Sequence, residues 1–352
     1  MDFDRLEALT ELGWKNAFTQ EVLEHPDHLE PCRVVEVQRT GLTVAPTVAD
    51  QATFVLGGRW YNLTPDERPT VGDWILIDPE SQAVEACLTR VSLIKRLSPA
   101  GEVQPIAANI DTAFLVTSCN ADFSLARIER YLTVLRQEDI QPVVVLTKVD
   151  LVDDAENYLS EVQTLGSDII VEAVNALVAD EVNRLADWCG PGQSIALLGS
   201  SGVGKSTIVN TLSGAVVQET QAAREGDDKG RHTTTSRSLH RLPAGGVILD
   251  SPGMREFQIA DVDVGVQSVF EDIELLAQEC KFNDCGHASE PGCAVQAAID
   301  AGELEQRRLE SYFKLQREDQ YNSETIAERH ARTRAFSKMV KAHNAGKPKL
   351  QK

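Results

Sequence analysis

Apolar residues between Cys32 and Ile77 come in short bursts: Arg33-Val-Val-Glu-Val, Leu42-Thr-Val-Ala, Ala52-Thr-Phe-Val-Leu and Trp74-Ile-Leu-Ile. Gly41, Gly57-Gly58, Pro65 and Gly72-Asp73 punctuate them. Short strands at this spacing, with no helical stretch, predict a small β-barrel or sandwich. A five-stranded OB-like barrel fits roughly 60–70 residues, although pattern alone does not separate it from an SH3-like barrel. After residue 105 the pattern changes to buried runs at Asp111–Ser118, Pro142–Thr147, Asp168–Val174, Ser194–Gly199 and Gly246–Asp250. Amphipathic stretches at 124–138, 154–165, 179–189 and 205–213 lie between them. Alternation of buried strands with helices predicts a mostly parallel sheet covered on both faces. Beyond about residue 265 only helix-like patterns remain, at 266–280 and 294–320. Before residue 31, Leu6, Leu9 and Leu12 predict one short amphipathic helix at most. No internal repeat is visible.

Composition narrows the picture only in places. The chain has 352 residues, enough for two or three cores. No stretch approaches the roughly 20 apolar residues of a membrane span. The acidic start, Met1-Asp-Phe-Asp, is not a secretory signal, so the expected location is cytoplasmic with no membrane partner. A net charge of −20 argues against general nucleic-acid binding. Residues 329–352 depart from it: Arg329, Arg332, Arg334, Lys338, Lys341, Lys347, Lys349 and Lys352 stand there without Asp or Glu. This segment reads either as a basic arm or as a solvated tail. Seven cysteines, an odd number, speak against a disulfide framework. Cys32, Cys87, Cys119 and Cys189 lack ligand-like spacing and are expected to be buried or half-buried small residues.

Gly199-x4-Gly204-Lys205-Ser206 follows an apolar strand and opens a helical pattern. That is the setting of a phosphate loop. Backbone N–H groups from Gly199 to Thr207, through Ser200, Ser201, Gly202 and Val203, are expected to cradle phosphates. Lys205 supplies charge to the β/γ oxygens, and the Ser206 hydroxyl is placed for Mg²⁺. Thr147-Lys148-x-Asp150 follows another strand. The Asp150 carboxylate can accept from guanine N1–H and N2–H₂, which adenine does not offer, and Lys148 can lay its stem along the base. Asn175-Ala176 ends the next strand, where backbone N–H groups would meet guanine O6. Asp250-Ser-Pro-Gly253 ends a further strand. Asp250 would hold Mg²⁺ through water and the Gly253 N–H would bond the γ-phosphate. Between these motifs runs Gly230-Arg-His-Thr-Thr-Thr-Ser-Arg237, with Thr234, or Thr233 in its stead, as Mg²⁺ ligand in the GTP state. Met254 occupies the place where Ras-type enzymes keep a water-orienting Gln, so slow unaided hydrolysis is expected. His232, Lys205 and Thr234 are the candidate catalytic residues, with His232 orienting the water or, alternatively, being a plain surface imidazole.

The base-reading motif precedes the phosphate loop by about fifty residues, the reverse of ordinary small GTPases. Cys280-x4-Cys285-x-His287-x5-Cys293 places three thiolates and an imidazole within fourteen residues. Tetrahedral Cys₃His suits one structural zinc and leaves no position open for catalysis.

Together these features resemble the RsgA/YjeQ family, circularly permuted GTPases of small ribosomal subunit assembly. The resemblance covers most of the chain and includes the Gln104-Pro-Ile-Ala-Ala-Asn-Ile-Asp111 junction. It departs at Asn175-Ala176, where Ser-Ala is usual, and in the extended acidic N-terminus. It implies a multidomain α/β architecture: an extension (1–31), an OB-like barrel (32–103), a circularly permuted P-loop GTPase domain (104–264), a zinc-binding helical domain (265–328) and the basic arm (329–352). It further implies a monomeric GTP hydrolase that binds GTP and GDP with Mg²⁺, carries zinc at Cys280, Cys285, His287 and Cys293, and works on the small ribosomal subunit and its rRNA. Lys95-Arg96 and the arm are then candidate RNA phosphate contacts. Two other readings stay open: a P-loop kinase of a small metabolite, and an RNA-binding scaffold with a vestigial GTP site.

Overall fold

The computed structural model describes residues 3–38, 41–47, 50–97, 102–214, 238–250 and 261–323, with the backbone alone at Asp250. The first thirty residues hold two helices, not the single one expected: α1 (Phe3–Glu11) and α2 (Asn16–Val22). Leu9, Leu12, Trp14 and Phe18 are all buried. The Trp14 ring stands edge-on to Trp74 at 4.6 Å and also meets Phe18 at 5.3 Å. Aromatic burial, which hydrophobic periodicity over one short helix does not register, anchors the segment to the barrel.

The barrel comprises β1 (Glu30–Val37), β2 (Gly41–Ala45), β3 (Ala52–Val55), β4 (Trp74–Asp78) and β5 (Ala83–Cys87), with a one-turn helix α3 (Gly58–Tyr61) between β3 and β4. Its antiparallel order is β3-β2-β1-β4-β5, and β3 comes back against β5 to close it. This is the five-stranded Greek-key order of an OB-like barrel. Val34, Leu42, Val44, Ile75 and Ile77 fill its interior, alternating with outward positions as strand geometry requires. A separate hairpin, β6 (Leu93–Leu97) with β7 (Val103–Ala108), leads onward.

The α/β part contains β8 (Thr112–Ser118), β9 (Gln141–Thr147), β10 (Ile170–Val174), β11 (Ser194–Leu198), β12 (Ser238–Arg241) and β13 (Val247–Asp250). In space they run β10-β9-β8-β11-β13-β12; the first five are parallel and only β12 is reversed. A single bridge, Glu36 to Ser238, joins this sheet to the barrel through β1 and β12. One face of the sheet (Phe114, Val143, Val145, Ile195, Leu197) packs against Ile208 and Val209 of α7 (Lys205–Ser213). The other face (Ala113, Leu115, Val144, Leu146) packs against α4 (Leu125–Gln137) and α5 (Ala155–Gln163). The stretch read as helix over 179–189 is an α-turn, α6 (Ala179–Val182), followed by a 3₁₀ segment, Asn183–Trp188.

The C-terminal part is helical, as the pattern predicts, but each long stretch is broken in two. Helices Asp263–Val269 and Glu271–Gln278 meet at Phe270, and Ala294–Asp300 is followed, after Gly302, by a helix over 306–323. Asp263–Val269 crosses α4 so closely that a methyl at Gly265 would lie 2.0 Å from the Thr133 carbonyl oxygen. Only glycine permits that crossing.

Candidate functional site

Parallel strands place all their carboxyl ends on one edge, and loops at that edge of an open α/β sheet form binding crevices. Gly199 leaves β11 there, Thr147-Lys148 leaves β9, Asn175-Ala176 leaves β10, and β13 ends in Asp250. At Gly199 the backbone turns with φ +146°, and a side chain would strike the Val116 carbonyl oxygen at 2.1 Å. Gly204, at φ +104°, caps the start of α7. A methyl there would stand 3.5 Å from Ala176 Cβ and 3.7 Å from Thr147 Cγ2. The phosphate loop, the base-reading motif and the Asn175-Ala176 turn, far apart in sequence, therefore meet at one point.

The buried Lys205 Nζ donates to the carbonyls of Gly199 (2.9 Å) and Ser200 (2.5 Å), so the ammonium sits over the loop. The wholly buried Thr147 hydroxyl lies 2.6 Å from the Val203 carbonyl oxygen and 3.2 Å from that of Thr117. Lys148 takes left-handed geometry (φ 57°, ψ 32°), which turns the chain so that Asp150 stands exposed. At the neighbouring turn the Asn175 N–H donates to Glu181 (2.7 Å) and the Asn175 side chain accepts from the Leu177 N–H (3.0 Å). Ser201 and Gly202 are exposed, while Ser206 and Thr207 are half-buried on the first turn of α7. His232, Thr233, Thr234, Gly253 and Met254, the side chain of Asp250, and the basic arm lie outside the described residues.

Two residues at this edge have no signal in the sequence. Arg127 of α4 is hydrogen-bonded to the Ser200 hydroxyl and paired with Asp122 at 2.9 Å. Glu181 could have been sought as a carboxylate six residues after Asn175, but its target is a backbone N–H, which no motif encodes.

The second candidate site gathers Cys280, Cys285, His287 and Cys293, whose ligand atoms all lie within 4.8 Å of one another. Cys280 Sγ is 3.9 Å from Cys293 Sγ and 3.6 Å from His287 Nδ1; Cys293 Sγ is 3.5 Å from the same nitrogen. A tetrahedral ion with metal–sulfur bonds of about 2.3 Å needs sulfur–sulfur edges of about 3.8 Å, so the donor set fits a metal. Each ligand is held from outside. His287 sits at φ 53°, its carbonyl accepting from Gln296 Nε2 at 3.0 Å, and its ring stacks 6.4 Å from Phe313. Cys293 caps helix Ala294–Asp300, its sulfur accepting from the Gln296 N–H. The Glu290 carboxylate accepts from the N–H groups of Gly286, Ala288 and Ser289, and backbone hydrogen bonds, its own among them, lower it to about 2. Burial is the largest single influence on the Cys280 thiol and raises it, but the backbone N–H groups of Ala294 and Val295, together with hydrogen bonds from the Cys285 and Cys293 thiols, hold it below its ordinary range. The N–H of His287 would lower Cys285 as well, but burial and the neighbouring sulfurs of Cys293 and Cys280 push it up. Three thiolates this close need a cation to neutralise them.

The remaining cysteines are unpaired; Cys32, Cys119 and Cys189 are buried and Cys87 half-buried, as expected. Lys95 and Arg96 are half-buried on β6, with Lys95 3.8 Å from Asp261 and Arg96 3.4 Å from the Gln104 side chain. Among the described residues, no helix is long and apolar enough to cross a membrane.

An ordinary α/β nucleotide-binding sheet threaded in rotated order, behind an OB-like barrel and ahead of a helical cysteine–histidine cluster, defines the class: a circularly permuted GTPase. A family model described as RsgA GTPase matches residues 87–260. The chain is 48% identical over 347 residues to the small ribosomal subunit biogenesis GTPase RsgA 2 of Vibrio vulnificus, covering 98% of this chain and 97% of that one. It is 44% identical over 323 residues to the corresponding RsgA of Mesorhizobium japonicum, covering 90% and 91%. Among solved structures it resembles YjeQ from Thermotoga maritima, with a TM-score of 0.58 and 24% identity, over 82% of this chain and 97% of that one. It also resembles YloQ, a circularly permuted GTPase, with a TM-score of 0.56 and 23% identity, over 85% and 98%. The chain belongs to the RsgA GTPase family.

Proposed function

We infer that this chain hydrolyses GTP to GDP and phosphate while it assists late maturation of the small ribosomal subunit, and that the subunit stimulates the reaction. The observation that carries the reading is the meeting of Thr147, Ala176 and Gly204 at one edge of a permuted sheet, in a chain 48% identical to a small ribosomal subunit biogenesis GTPase. A kinase has no need of a guanine-reading carboxylate at Asp150, and a vestigial site has no need of Lys205 held over the loop.

In this reading Asp150 pairs with the base, Lys148 covers one of its faces, and the Asn175-Ala176 turn meets guanine O6. Gly199 to Thr207 hold the phosphates. Lys205 lowers the cost of negative charge at the β/γ oxygens, and helix α7 adds its positive end. Mg²⁺ bound with GTP would neutralise the transferring phosphoryl group, with Ser206, Thr234 and Asp250 as its protein contacts. Gly253 senses the γ-phosphate and His232 orients water in place of the side chain that Met254 lacks. Zinc is the metal assigned to the cysteine–histidine centre, because a closed Cys₃His set is its usual structural site. The barrel (32–103), the GTPase domain (104–264), the helical domain (265–328) and the basic arm (329–352) act as one monomeric cytoplasmic factor, with rRNA touched by the barrel and the arm.

The deciding experiment is GTP turnover by the purified chain, alone and with purified small subunits. Slow turnover that rises many-fold with subunits supports the reading; turnover indifferent to subunits removes the partner, and phosphate transfer to an acceptor other than water would favour the kinase. Asp150→Asn tests the base: it replaces an acceptor with an amide and should weaken GTP by at least about tenfold, while gaining affinity for xanthosine triphosphate, whose C2 carbonyl accepts from that amide.

A further inference from the structure

Helix α4 touches both candidate sites. Its first turn is fixed by Ser124, which accepts from the Arg127 N–H. The Arg127 guanidinium joins Asp122 to the Ser200 hydroxyl. The carbonyl of that same Ser200 accepts from Lys205. One residue of the phosphate loop is thus gripped on its side chain by a cation from α4 and on its backbone by the loop's own lysine.

Within one turn of Arg127 the same helix is bolted to the C-terminal helices. Glu129 is wholly buried; its carboxylate accepts from Arg307 and Arg308 at 3.1 Å and from the Ser311 hydroxyl at 2.6 Å. Arg130 forks onto Glu318 at 2.5 and 2.7 Å. Arg307 to Glu318 all lie on the helix over 306–323, which also carries Phe313 against the metal ligand His287. Three positions along a helix span only about 4.5 Å, and breaking a buried, hydrogen-bonded ion pair is costly, so α4 and the C-terminal helix move as one body.

We propose that Arg127 is a positioning residue of the phosphate loop, and that α4 makes its hold depend on the metal-bearing C-terminal module. A partner that displaces this module shifts Arg127 against Ser200 and so changes nucleotide affinity. The inference rests on the guanine-nucleotide reading above and adds to it a route by which the C-terminal module acts on the phosphate loop.

The test uses the full, metal-loaded chain and fluorescently labelled GDP. Arg127→Ala and Ser200→Ala should each weaken GDP about five- to tenfold, and the double variant should be no weaker than either alone. Arg127→Lys, which keeps the charge but loses the fork between Asp122 and Ser200, should recover part of the loss. Arg130→Ala, at the other contact, should weaken GDP about threefold with metal content unchanged. Glu318→Gln, which keeps the shape, is the second variant should Arg130→Ala fail to fold. Wild-type affinity in Arg127→Ala, or additive losses in the double variant, would overturn the positioning role. A lower Tm with unchanged GDP affinity in Arg130→Ala and Glu318→Gln would make that pair a structural bolt and overturn the coupling. A wild-type chain that binds no guanine nucleotide brings down the nucleotide reading first, a result distinct from any of these.

Discussion

The Thr147 hydroxyl lies within hydrogen-bond distance of the phosphate loop at Val203, so a single side chain ties the base-reading motif to the loop. Thr147→Val keeps the shape and removes the donor; GDP affinity should fall about threefold to tenfold in an equilibrium fluorescence titration, the worth of one buried hydrogen bond. Glu290 works the same way on the loop that carries His287, collecting three N–H groups. Its folded pKa, lowered to about 2, lies below the ordinary carboxylate value. Its stabilising contribution is therefore complete above the ordinary range and is lost as pH falls toward 2. Glu290→Gln should release metal to a colorimetric chelator faster than the wild type at neutral pH, and the difference should shrink as acid protonates Glu290. Thr147 was legible as a motif position and Glu290 was not, because its work is done entirely on backbone N–H groups.

At the level of elements, helix boundaries were the least legible part. Phe270 ends one helix and begins the next where periodicity runs on unbroken, because its wholly buried ring fills the core beneath the junction. β12 is four residues long and follows a polar segment, too short to stand out from a turn. The crossing of Asp263–Val269 over α4 is decided by a missing Cβ. Gly265→Ala drives a methyl into the Thr133 carbonyl and should cost about 1–3 kcal/mol in chemical denaturation, even though alanine is the better helix former. Helix Ala294–Asp300 is capped by Cys293, one of the four residues that could hold a metal, so binding of an ion there would be linked to the helix. Cys293→Ser, or chelation of the wild type, should remove helical signal from the C-terminal part and leave GDP binding measurable.

Across the whole molecule, single buried charges join the parts. Arg33 of β1 is wholly buried over Trp74, donating to the Asn109 carbonyl (3.1 Å) and the Ser194 hydroxyl (3.2 Å), which ties the barrel to the start of β11. Burial lowers the guanidinium to about 10, with Asp111 and Asp73 opposing, so it remains charged at neutral pH. Glu129 does the same between α4 and the C-terminal helix. Glu129→Ala takes one of two carboxylates from the buried Arg308, which keeps Asp272 at 2.6 Å, and leaves the Ser311 hydroxyl without its acceptor; it should lower stability by about 1–3 kcal/mol, read as a shifted denaturation midpoint. Neither residue belongs to a motif or breaks the local pattern strongly enough to mark it from sequence.

What the sequence determined by itself is what spacing encodes. Gly199-x4-Gly204-Lys205-Ser206 after an apolar run, Thr147-Lys148-x-Asp150 ahead of it and the cysteine–histidine spacing are local patterns, and their order alone announced the permuted topology. The tertiary structure decided which distant residues meet. It brought Arg127 to Ser200, set Ala176 beside Gly204, closed β3 on β5 and locked Glu129 among two arginines. Those contacts arise from helix crossings and strand order, which depend on how whole faces pack, and no single segment of chain carries that information.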